Sequence, residues 1–538
     1  MSNPSSRRAV NAWVMYDWAN SAFATTIMAA VLPTFYSAVA AKGSLTPVQA
    51  SSTWGLTQSL GMLLVALAAP VLGAIADYSG SKKRFLAAFA IPGILATSLM
   101  VLLTTGNWLL ASLLYVIGEI GFSGSLIFYD SLLPHVAKED EIDNVSARGY
   151  AMGYLGGGIL LAINILWIQM PDLFGITALG ARFGVSGAEM ASRLSFLSVG
   201  VWWAVFSIPL FRAVKEPPRS RLAAERAVNP IAGGFGRLLN TFKELRLYRQ
   251  LLIFIVAFWI YNDGIGTIIK MATIYGAEIG IGQVDLIGAL LLTQFIGIPF
   301  ALLFGRMPQR NDPRQAFFVS MVIFSAVALP LVGLLAPLLR IGSEPLAVGA
   351  ALGALPLVGL LAPRLGIGSG PLAVGVALGA LALGLAFSWL VGRRIFAPLA
   401  NRMNAKNAIV LALIVYAAVS VWGYFMATAV EFWLLAMMVG LVQGGSQALS
   451  RSLFGNMVPK AQTAEFFGFY DMSSKFAGLL GPLVFAVVGQ LAGSSRLSIV
   501  SLIVFFILGG AIISRVNEEE GVRVARAADA RASVIREA

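Results

Sequence analysis

The sequence predicts an all-α polytopic membrane protein, and three features of the chain support that prediction. Apolar runs of about 20 residues, the length at which a helix crosses the hydrocarbon of a bilayer, recur along the sequence. The residues are 58% hydrophobic and 12% charged, and most runs are apolar on every side, unlike the one-sided helices of soluble proteins. The alternation of a membrane β-strand is sustained nowhere, so helices packed against lipid and against one another are expected.

The apolar runs form two groups of six, which predicts two six-helix halves and 12 core transmembrane helices. We expect the first six helices near residues 11–41, 52–76, 85–105, 108–134, 148–170 and 194–214. We expect the second six near residues 248–275, 285–305, 407–427, 431–457, 466–490 and 496–515. The chain then divides into an N-terminal half, a basic linker, a C-terminal half and a tail, at residues 1–215, 216–247, 248–515 and 516–538.

The positive residues predict how the chain is oriented in the membrane. With the N-terminus inside, the inner loops of the first half hold Arg7, Arg8, Lys82, Lys83, Arg84, Lys138 and Arg148. The outer loops of that half hold only Lys42, Arg182 and Arg193. Because Lys and Arg are enriched in cytoplasmic loops, both termini are expected in the cytoplasm and the protein in the cell (inner) membrane. Sorting by side explains the net charge of +12 better than nucleic-acid binding does, so no nucleic-acid partner is expected.

Composition also excludes several chemistries. The chain has no Cys and one His, which excludes disulfides and thiol chemistry and leaves no ligands for a zinc cluster. It contains no G-x-x-x-x-G-K-[ST] motif of the kind that cradles nucleotide phosphates. The Gly-rich run "GYLGGG" (153–158) instead favours close packing of helices. We therefore expect no enzyme activity, no cofactor and no metal site.

Short stretches of the first half recur in the second. The three pairs are "YDWANSAF" from Tyr16 with "YNDGIGTI" from Tyr261, "GAIADYSGSKK" (73–83) with "APLANRMNAKN" (397–407), and "DSLLP" ending at Pro134 with "GNMVP" ending at Pro459. Duplicated halves are typical of secondary transporters. The duplication therefore predicts transport as the function.

The second half also carries a hydrophobic insertion near residues 307–391. Within it, residues 330–355 and 356–381 form a tandem repeat, identical at 22 of 26 positions. Its three apolar segments, near 316–338, 345–363 and 371–391, lie between two segments that are both expected in the cytoplasm. An even number of crossings is then required, so we predict that two segments cross and that one is re-entrant or lies flat.

Between the second and third of the twelve predicted helices, the stretch "GAIADYSGSKK" resembles the G-x-L-A-D-R-x-G-R-K signature of the major facilitator superfamily. Further stretches narrow the resemblance to the subfamily of fungal vacuolar amino-acid effluxers and related bacterial permeases: "YDWANSAFATTIM", "YNDGIGTI", "GLVQGGSQALSRSLF" (440–454) and "EFFGFYDMSSKFAGLLGP" (465–482). It covers nearly the whole chain, and the insertion at 307–391 is expected to depart from it. The resemblance implies the major facilitator fold and a cytoplasmic gate at the motif residues Gly73, Asp77, Gly80, Lys82 and Arg402. Asp130 and Arg451 lie near cytoplasmic helix ends, so they are also expected to act in gating.

Polar residues inside apolar helices are the candidates for binding substrate or a coupling ion, because each is costly at bilayer depth. Three groups share a helix face by their spacing: Asp17, Asn20 and Ser21; Asp263, Thr267 and Lys270; and Asp471 with Lys475. The resemblance implies that helices 1, 4, 7 and 10 surround a central cavity, which adds Glu119, Gln443 and Gln447. Acids together with cations would suit a zwitterion, or a carboxylate that takes up H⁺ or Na⁺.

Structural roles compete with these assignments. Asp17 and Asp263 could latch the helix bundle, and Asp471 could simply neutralise Lys475 within one helix. His135, in a polar loop, is expected to be solvated. Our prediction is a monomeric secondary active transporter in the lipid bilayer that moves a small polar metabolite, amino acids first, coupled to H⁺ rather than Na⁺. The alternatives are a lipid or lysolipid translocator, and a non-transporting sensor or scaffold, although the tail offers no output domain.

Overall fold

The computed structural model describes residues 7–217, 245–281, 283–307, 315–324, 389–390, 393–400, 402–492 and 495–534. The regular structure within these ranges is helical and contains no strand. The first six long helices are α1 (Arg7–Ala40), α2 (Pro47–Ser79), α3 (Lys82–Leu99), α4 (Trp108–Ser131), α5 (Ile142–Gln169) and α6 (Gly187–Ala213). The later ones are α7 (Arg249–Glu278), α8 (Gln283–Arg306), α9 (Ala405–Phe425), α10 (Ala429–Met457), α11 (Thr463–Ala492), α12 (Ser495–Ser501 and Ile503–Ile513) and α13 (Glu518–Val534).

All twelve predicted core helices are present in the described chain. Eleven of the described helices are long and apolar enough to cross a membrane, and α11 contributes a shorter apolar stretch over Leu480–Ala492. The predicted insertion lies outside the described residues except for its margins and a helix at Gln315–Phe324. Its predicted crossings therefore stay predictions.

The helix ends follow from local sequence. The Thr46 hydroxyl accepts the Gln49 N–H (3.3 Å) while the Gln49 amide oxygen accepts the Thr46 N–H (3.0 Å), and Pro47 fits the first turn of α2 because its missing N–H would be unpaired there anyway. At the other end of α2, Gly80 adopts φ +62°, a left-handed conformation that suits Gly because it has no Cβ. These signals place the α2–α3 turn one residue after Ser79.

The described chain separates into two compact units by its contacts. Unit 1 consists of residues 1–255, 454–476 and 517–538, and unit 2 of residues 256–453 and 477–516. In unit 1 the α1 ring of Trp13 stacks on the α4 ring of Tyr129, with centroids 4.4 Å apart. A Cβ added at Gly156 of α5 would lie 2.5 Å from the Trp18 carbonyl oxygen, so this Gly lets α1 and α5 touch. The packing predicted for the "GYLGGG" run is confirmed.

Unit 2 is joined by polar contacts near the helix ends and by aromatic packing. The Tyr275 hydroxyl of α7 donates to the Gly423 carbonyl of α9 at 2.8 Å, and the Tyr416 ring of α9 stacks on Phe506 of α12. A Cβ at Gly445 of α10 would lie 2.2 Å from the ring of Phe304 in α8. These contacts connect α7, α8, α9, α10 and α12.

Candidate functional site

A cluster of polar side chains lies in unit 1 where α2, α3 and α11 meet. We call Asp77, Lys82, His135, Thr463 and Glu465 the Asp77 cluster. The Lys82 ammonium lies 2.9 Å from the Asp77 carboxylate, with both side chains almost fully buried. The other carboxylate oxygen of Asp77 accepts the Glu465 backbone N–H at 2.8 Å. Because the first N–H groups of a helix have no intrahelical partner and carry the positive end of its dipole, Asp77 caps the start of α11.

His135 belongs to this cluster, so the prediction that it is solvated is wrong. Its Nε2 lies 3.1 Å from the Lys82 Nζ and 3.2 Å from the Thr463 hydroxyl, and Lys82 also donates to that hydroxyl. An ammonium has only donors, so the ring nitrogen facing it accepts and the imidazole is neutral. The only His of the chain therefore completes the shell around Lys82.

Close backbone contact holds α2 against α11 beside this cluster. A Cβ added at Gly73 would lie 2.1 Å from the Ala464 carbonyl oxygen. No other residue type fits that distance without moving a helix. The signature positions Gly73, Asp77, Gly80 and Lys82 are thus each explained by a contact or a backbone conformation within unit 1.

Lys83, the second lysine of the first motif, caps the end of a helix. The Lys83 ammonium donates to the carbonyls of Phe211 (2.9 Å) and Val214 (2.5 Å) at the end of α6. In unit 2, the Lys406 ammonium donates to the carbonyls of Ser514 (3.3 Å) and Val516 (2.9 Å) after α12. A cation at a helix C-terminus pairs with carbonyls that lack intrahelical partners.

The capping contacts that Lys83 and Lys406 have in common correct the alignment of the two motif copies. Aligned letter by letter, Lys406 corresponds to Lys82. Yet Lys83 and Lys406 are each the second residue of their helix, α3 and α9, and each caps the last helix of its half. Ala405 therefore stands where the first motif has Lys82. Arg402, predicted at the gate, is exposed, and its carbonyl accepts the Asn407 amide at 2.6 Å.

The predicted binding residues of the first half lie in the interior of unit 1. Asp17 is 6% exposed, and its Oδ2 accepts the Tyr129 hydroxyl at 2.8 Å. Asn20 is buried, and Ser21 lies against α5. Glu119 is fully buried and accepts the Ser123 hydroxyl at 2.8 Å. Tyr129 was missed by sequence reasoning, because nothing marks one tyrosine of α4 as the partner of an acid 112 residues away.

In unit 2, Asp263 of α7 is the predicted carboxylate, and it is buried. It is 1% exposed, and its Oδ1 accepts the Gly481 N–H of α11 at 2.9 Å. Its Oδ2 has no hydrogen-bond partner within the described part of the chain. The Thr267 hydroxyl donates to the Asp263 carbonyl at 2.7 Å, and Lys270, two turns along, is exposed.

The remaining predicted residues are spread over α4, α10 and α11. Asp130 and Gln447 are half-buried and Arg451 is 2% exposed. Asp471 is half-buried, but the side chain of Lys475 lies outside the described residues, so their pairing stays a prediction. Gln443 lines an apolar cavity within unit 2 among α7, α8, α9, α10 and α12, apart from Asp263 and Thr267. The common cavity predicted for all these residues is likewise untested, and the described residues contain no group of three or more His, Asp or Glu suited to a metal ion.

Comparison with known proteins identifies the family. Residues 5–344 and 373–526 of this chain match the family described as "Vacuole effluxer Atg22 like". The chain is 33% identical over 516 residues to the Bacillus subtilis (strain 168) protein named "Uncharacterized MFS-type transporter YxiO", covering 96% of each chain. It is 21% identical over 493 residues to Autophagy-related protein 22 of Kluyveromyces lactis, covering 87% of this chain and 80% of the relative.

The family match corrects one prediction about the insertion. It continues through residue 344 and resumes at 373, so the prediction that all of 307–391 departs from the family is wrong. Within the insertion, the residues outside the match are 345–372, which lie inside the tandem repeat.

Solved structures show the same fold at low identity. The chain resembles the MFS proton:xylose symporter XylE with a TM-score of 0.57 and 11% identity, covering 97% of both chains. It resembles the MFS transporter FucP with a TM-score of 0.52 and 12% identity, covering 95% of this chain and 98% of that one. The predicted all-α major facilitator fold is confirmed. This chain belongs to the Atg22-like vacuole effluxer family of the major facilitator superfamily, and it is a multi-pass membrane transporter and not an enzyme.

Proposed function

We propose that the protein is a secondary active transporter that moves a small polar metabolite, most directly an amino acid, by alternating access with proton coupling. The family description "vacuole effluxer" and the predicted mixed-charge binding face support efflux of such a solute. We also propose that both termini face the cytoplasm in the inner membrane, with the Asp77 cluster as the cytoplasmic gate. The Lys and Arg residues of the first-half loops support this orientation.

The observation that carries the proton coupling is the environment of Asp263. Its carboxyl group is 1% exposed inside a helix apolar enough to span a membrane, where an ionised acid is expensive. One oxygen accepts the Gly481 N–H, and the other has no hydrogen-bond partner within the described residues. A proton on Oδ2 would neutralise the group without breaking the Gly481 contact. Asp263 can therefore exchange a proton while its helix contact persists.

Asp17 supplies a second buried acid near the corresponding position of the first half. It lies one place after Tyr16, whereas Asp263 lies two places after Tyr261. Its Oδ2 accepts a hydroxyl from Tyr129, whereas Oδ2 of Asp263 has no hydrogen-bond partner within the described residues. We assign Asp17 to substrate binding and Asp263 to the proton.

Transport in proteoliposomes tests the proposal. Uptake of labelled amino acids is measured with and without a pH gradient, and as exchange with solute loaded inside. Asp263→Asn should abolish gradient-driven uptake and leave exchange measurable, whereas Asp17→Asn should weaken both. Asp172→Asn, in the exposed loop after α5, serves as the matched control and should match the wild type.

Two outcomes would overturn the proposal. Gradient-driven uptake that is unchanged in Asp263→Asn would remove that residue from the coupling mechanism. Competition by lysolipids and not by amino acids would replace the proposed substrate class with lipids.

A further inference from the structure

We propose that α13, the C-terminal helix, is a strap that holds the cytoplasmic side closed and must release for that side to open. The inference rests on the proposed function, because only a transporter that alternates needs such a release. It concerns a segment that the sequence marked only as a short tail. In the structure it is a 17-residue helix, Glu518–Val534, docked within unit 1.

Asp529 attaches the strap to the connection between α10 and α11. One carboxylate oxygen accepts the Lys460 N–H at 3.1 Å and the other accepts the Ala461 N–H at 3.2 Å. These are the first groups of the short helix Lys460–Gln462, which leads directly into α11. Two hydrogen bonds from one side chain fix the position of this turn relative to α13.

Arg526, three residues earlier, attaches the strap to the other half of the sequence. Its guanidinium pairs with Glu139, in the connection between α4 and α5. Residues three apart lie on neighbouring turns of one helix face. A single face of α13 therefore holds a connection from the first half at Arg526 and a connection from the second half at Asp529.

The rest of the helix fits the same docked position. Gly521 lies against Met457 at the end of α10, where an added Cβ would come within 2.6 Å of the Met457 sulfur. Ala525, one turn on, is 3% exposed. At the start of the helix, the Gln250 side chain of α7 donates to Glu520 (2.7 Å) and accepts the Asn517 N–H (2.9 Å).

These contacts have a direct consequence for opening. In alternating access the two halves move apart on one side of the membrane at a time. To separate the α4–α5 connection from the α10–α11 connection, α13 must lose its ion pair with Glu139 or its hydrogen bonds to Lys460 and Ala461. The Arg526–Glu139 pair is 66% and 48% exposed, so it is screened by solvent and weak. The strap therefore biases the equilibrium toward the closed side and can still release.

Distances between spin labels test the strap in the full-length protein. The chain has no native Cys, so Asp140→Cys and Arg394→Cys, both at exposed positions in different halves, can be labelled specifically. Arg526→Ala combined with Asp529→Ala should raise the long-distance population by at least the roughly two- to tenfold expected from the loss of one hydrogen bond, because the double variant removes two hydrogen bonds and an ion pair. Arg523→Ala, exposed on the same helix, is the matched control and should leave the distances unchanged.

A charge swap separates the strap from a loss of folding. Arg526→Glu alone should lengthen the distances, and adding Glu139→Arg should restore them. Unchanged distances in the double alanine variant would overturn the proposal, as would an equal change in Arg523→Ala. If distances respond but no variant or wild type transports, the strap stands and the proposed function falls. If uptake is gradient-driven but the distances do not change in the α13 variants, the proposed function stands and the strap proposal falls.

Discussion

The two copies of the signature motif differ in which of their charged residues form buried contacts. In the first copy, Lys82 pairs with Asp77 and Lys83 caps α6. In the second, Lys406 caps the end of α12 as Lys83 caps α6, and Ala405 stands in the place of Lys82. The lysine that caps the last helix is thus present in both halves, whereas a lysine at the position of Lys82 is present in the first half only.

This difference separates two functions that the motif combines in one short stretch. A lysine on the last helix carbonyls satisfies groups that every six-helix half must satisfy, so it recurs with the repeat. An ion pair that caps the start of α11 depends instead on the contact between Asp77 and the Glu465 N–H within unit 1. The lysine cap and the ion pair can therefore be tested by different substitutions of neighbouring residues.

The largest expected effect is that of Asp77→Asn. The amide still accepts the Glu465 N–H, but the buried Lys82 ammonium loses its counter-ion, which costs about 3–5 kcal/mol of unfolding free energy. Denaturant unfolding of the purified protein in detergent measures it. Asp77→Asn with Lys82→Met should recover much of the loss. A cost no larger than that of Arg402→Gln, at an exposed position of the second copy, would contradict the assignment.

A smaller loss is expected from Gly73→Ala in the first copy. The new Cβ would lie 2.1 Å from the Ala464 oxygen, so α2 and α11 must shift, at a cost of about 1–3 kcal/mol. Gly266→Ala is the matched control, because nothing lies within 4 Å of a Cβ there. Because Ala favours a helix more than Gly does, Gly266→Ala should raise the unfolding free energy by up to about 1 kcal/mol. Equal effects at the two sites would show that close contact at Gly73 is unimportant.

The two cap lysines should behave alike. Lys83→Met and Lys406→Met each remove one ammonium from two carbonyls at the end of the last helix of a half. Each should lower the unfolding free energy by about 1 kcal/mol. Thermal unfolding of both variants in the same detergent gives the comparison. A large loss for Lys83→Met alone would mean that Lys83 belongs with the ion pair and that the corrected register is wrong.

The sequence predicted the helices well and the long-range contacts poorly. Hydropathy located all twelve core helices, because membrane-spanning length is a local property, and it placed Asp17 and Asp263 inside helices, where both are buried. His135 was misjudged because its partners, Lys82 and Thr463, lie 53 and 328 residues away.

The register of the second motif and the role of the tail were missed for a related reason. Both depend on which carbonyl or N–H a side chain reaches, and letter matching does not contain that information. For α13, the sequence offered one clue in the spacing of Gly521, Ala525 and Asp529, which places small residues and an acid on one face.

The smallest expected effect concerns how each copy caps its helix after the turn. Asn404 accepts the Asn407 N–H at 2.8 Å at the start of α9, whereas Ser81 makes no such bond, and Glu216 accepts the Lys83 N–H at 3.1 and 3.0 Å instead. Burial raises the pKa of the Glu216 carboxyl, although the Lys83 N–H and the charges of Lys83 and Lys82 oppose the shift. The folded chain then binds this proton more tightly than the unfolded chain does. The unfolding free energy should therefore fall as the pH rises from the ordinary Glu pKa through the raised value.

The change should be no more than about 0.5 kcal/mol, because the Glu216 side chain is exposed and solvent screens its charge. Melting curves of wild type and Glu216→Gln between about pH 4 and 7 measure it, with Glu519→Gln, at an exposed position of α13, as the control. Glu216→Gln should flatten the slope and Glu519→Gln should retain it. A slope that survives in Glu216→Gln would assign the pH dependence to another group.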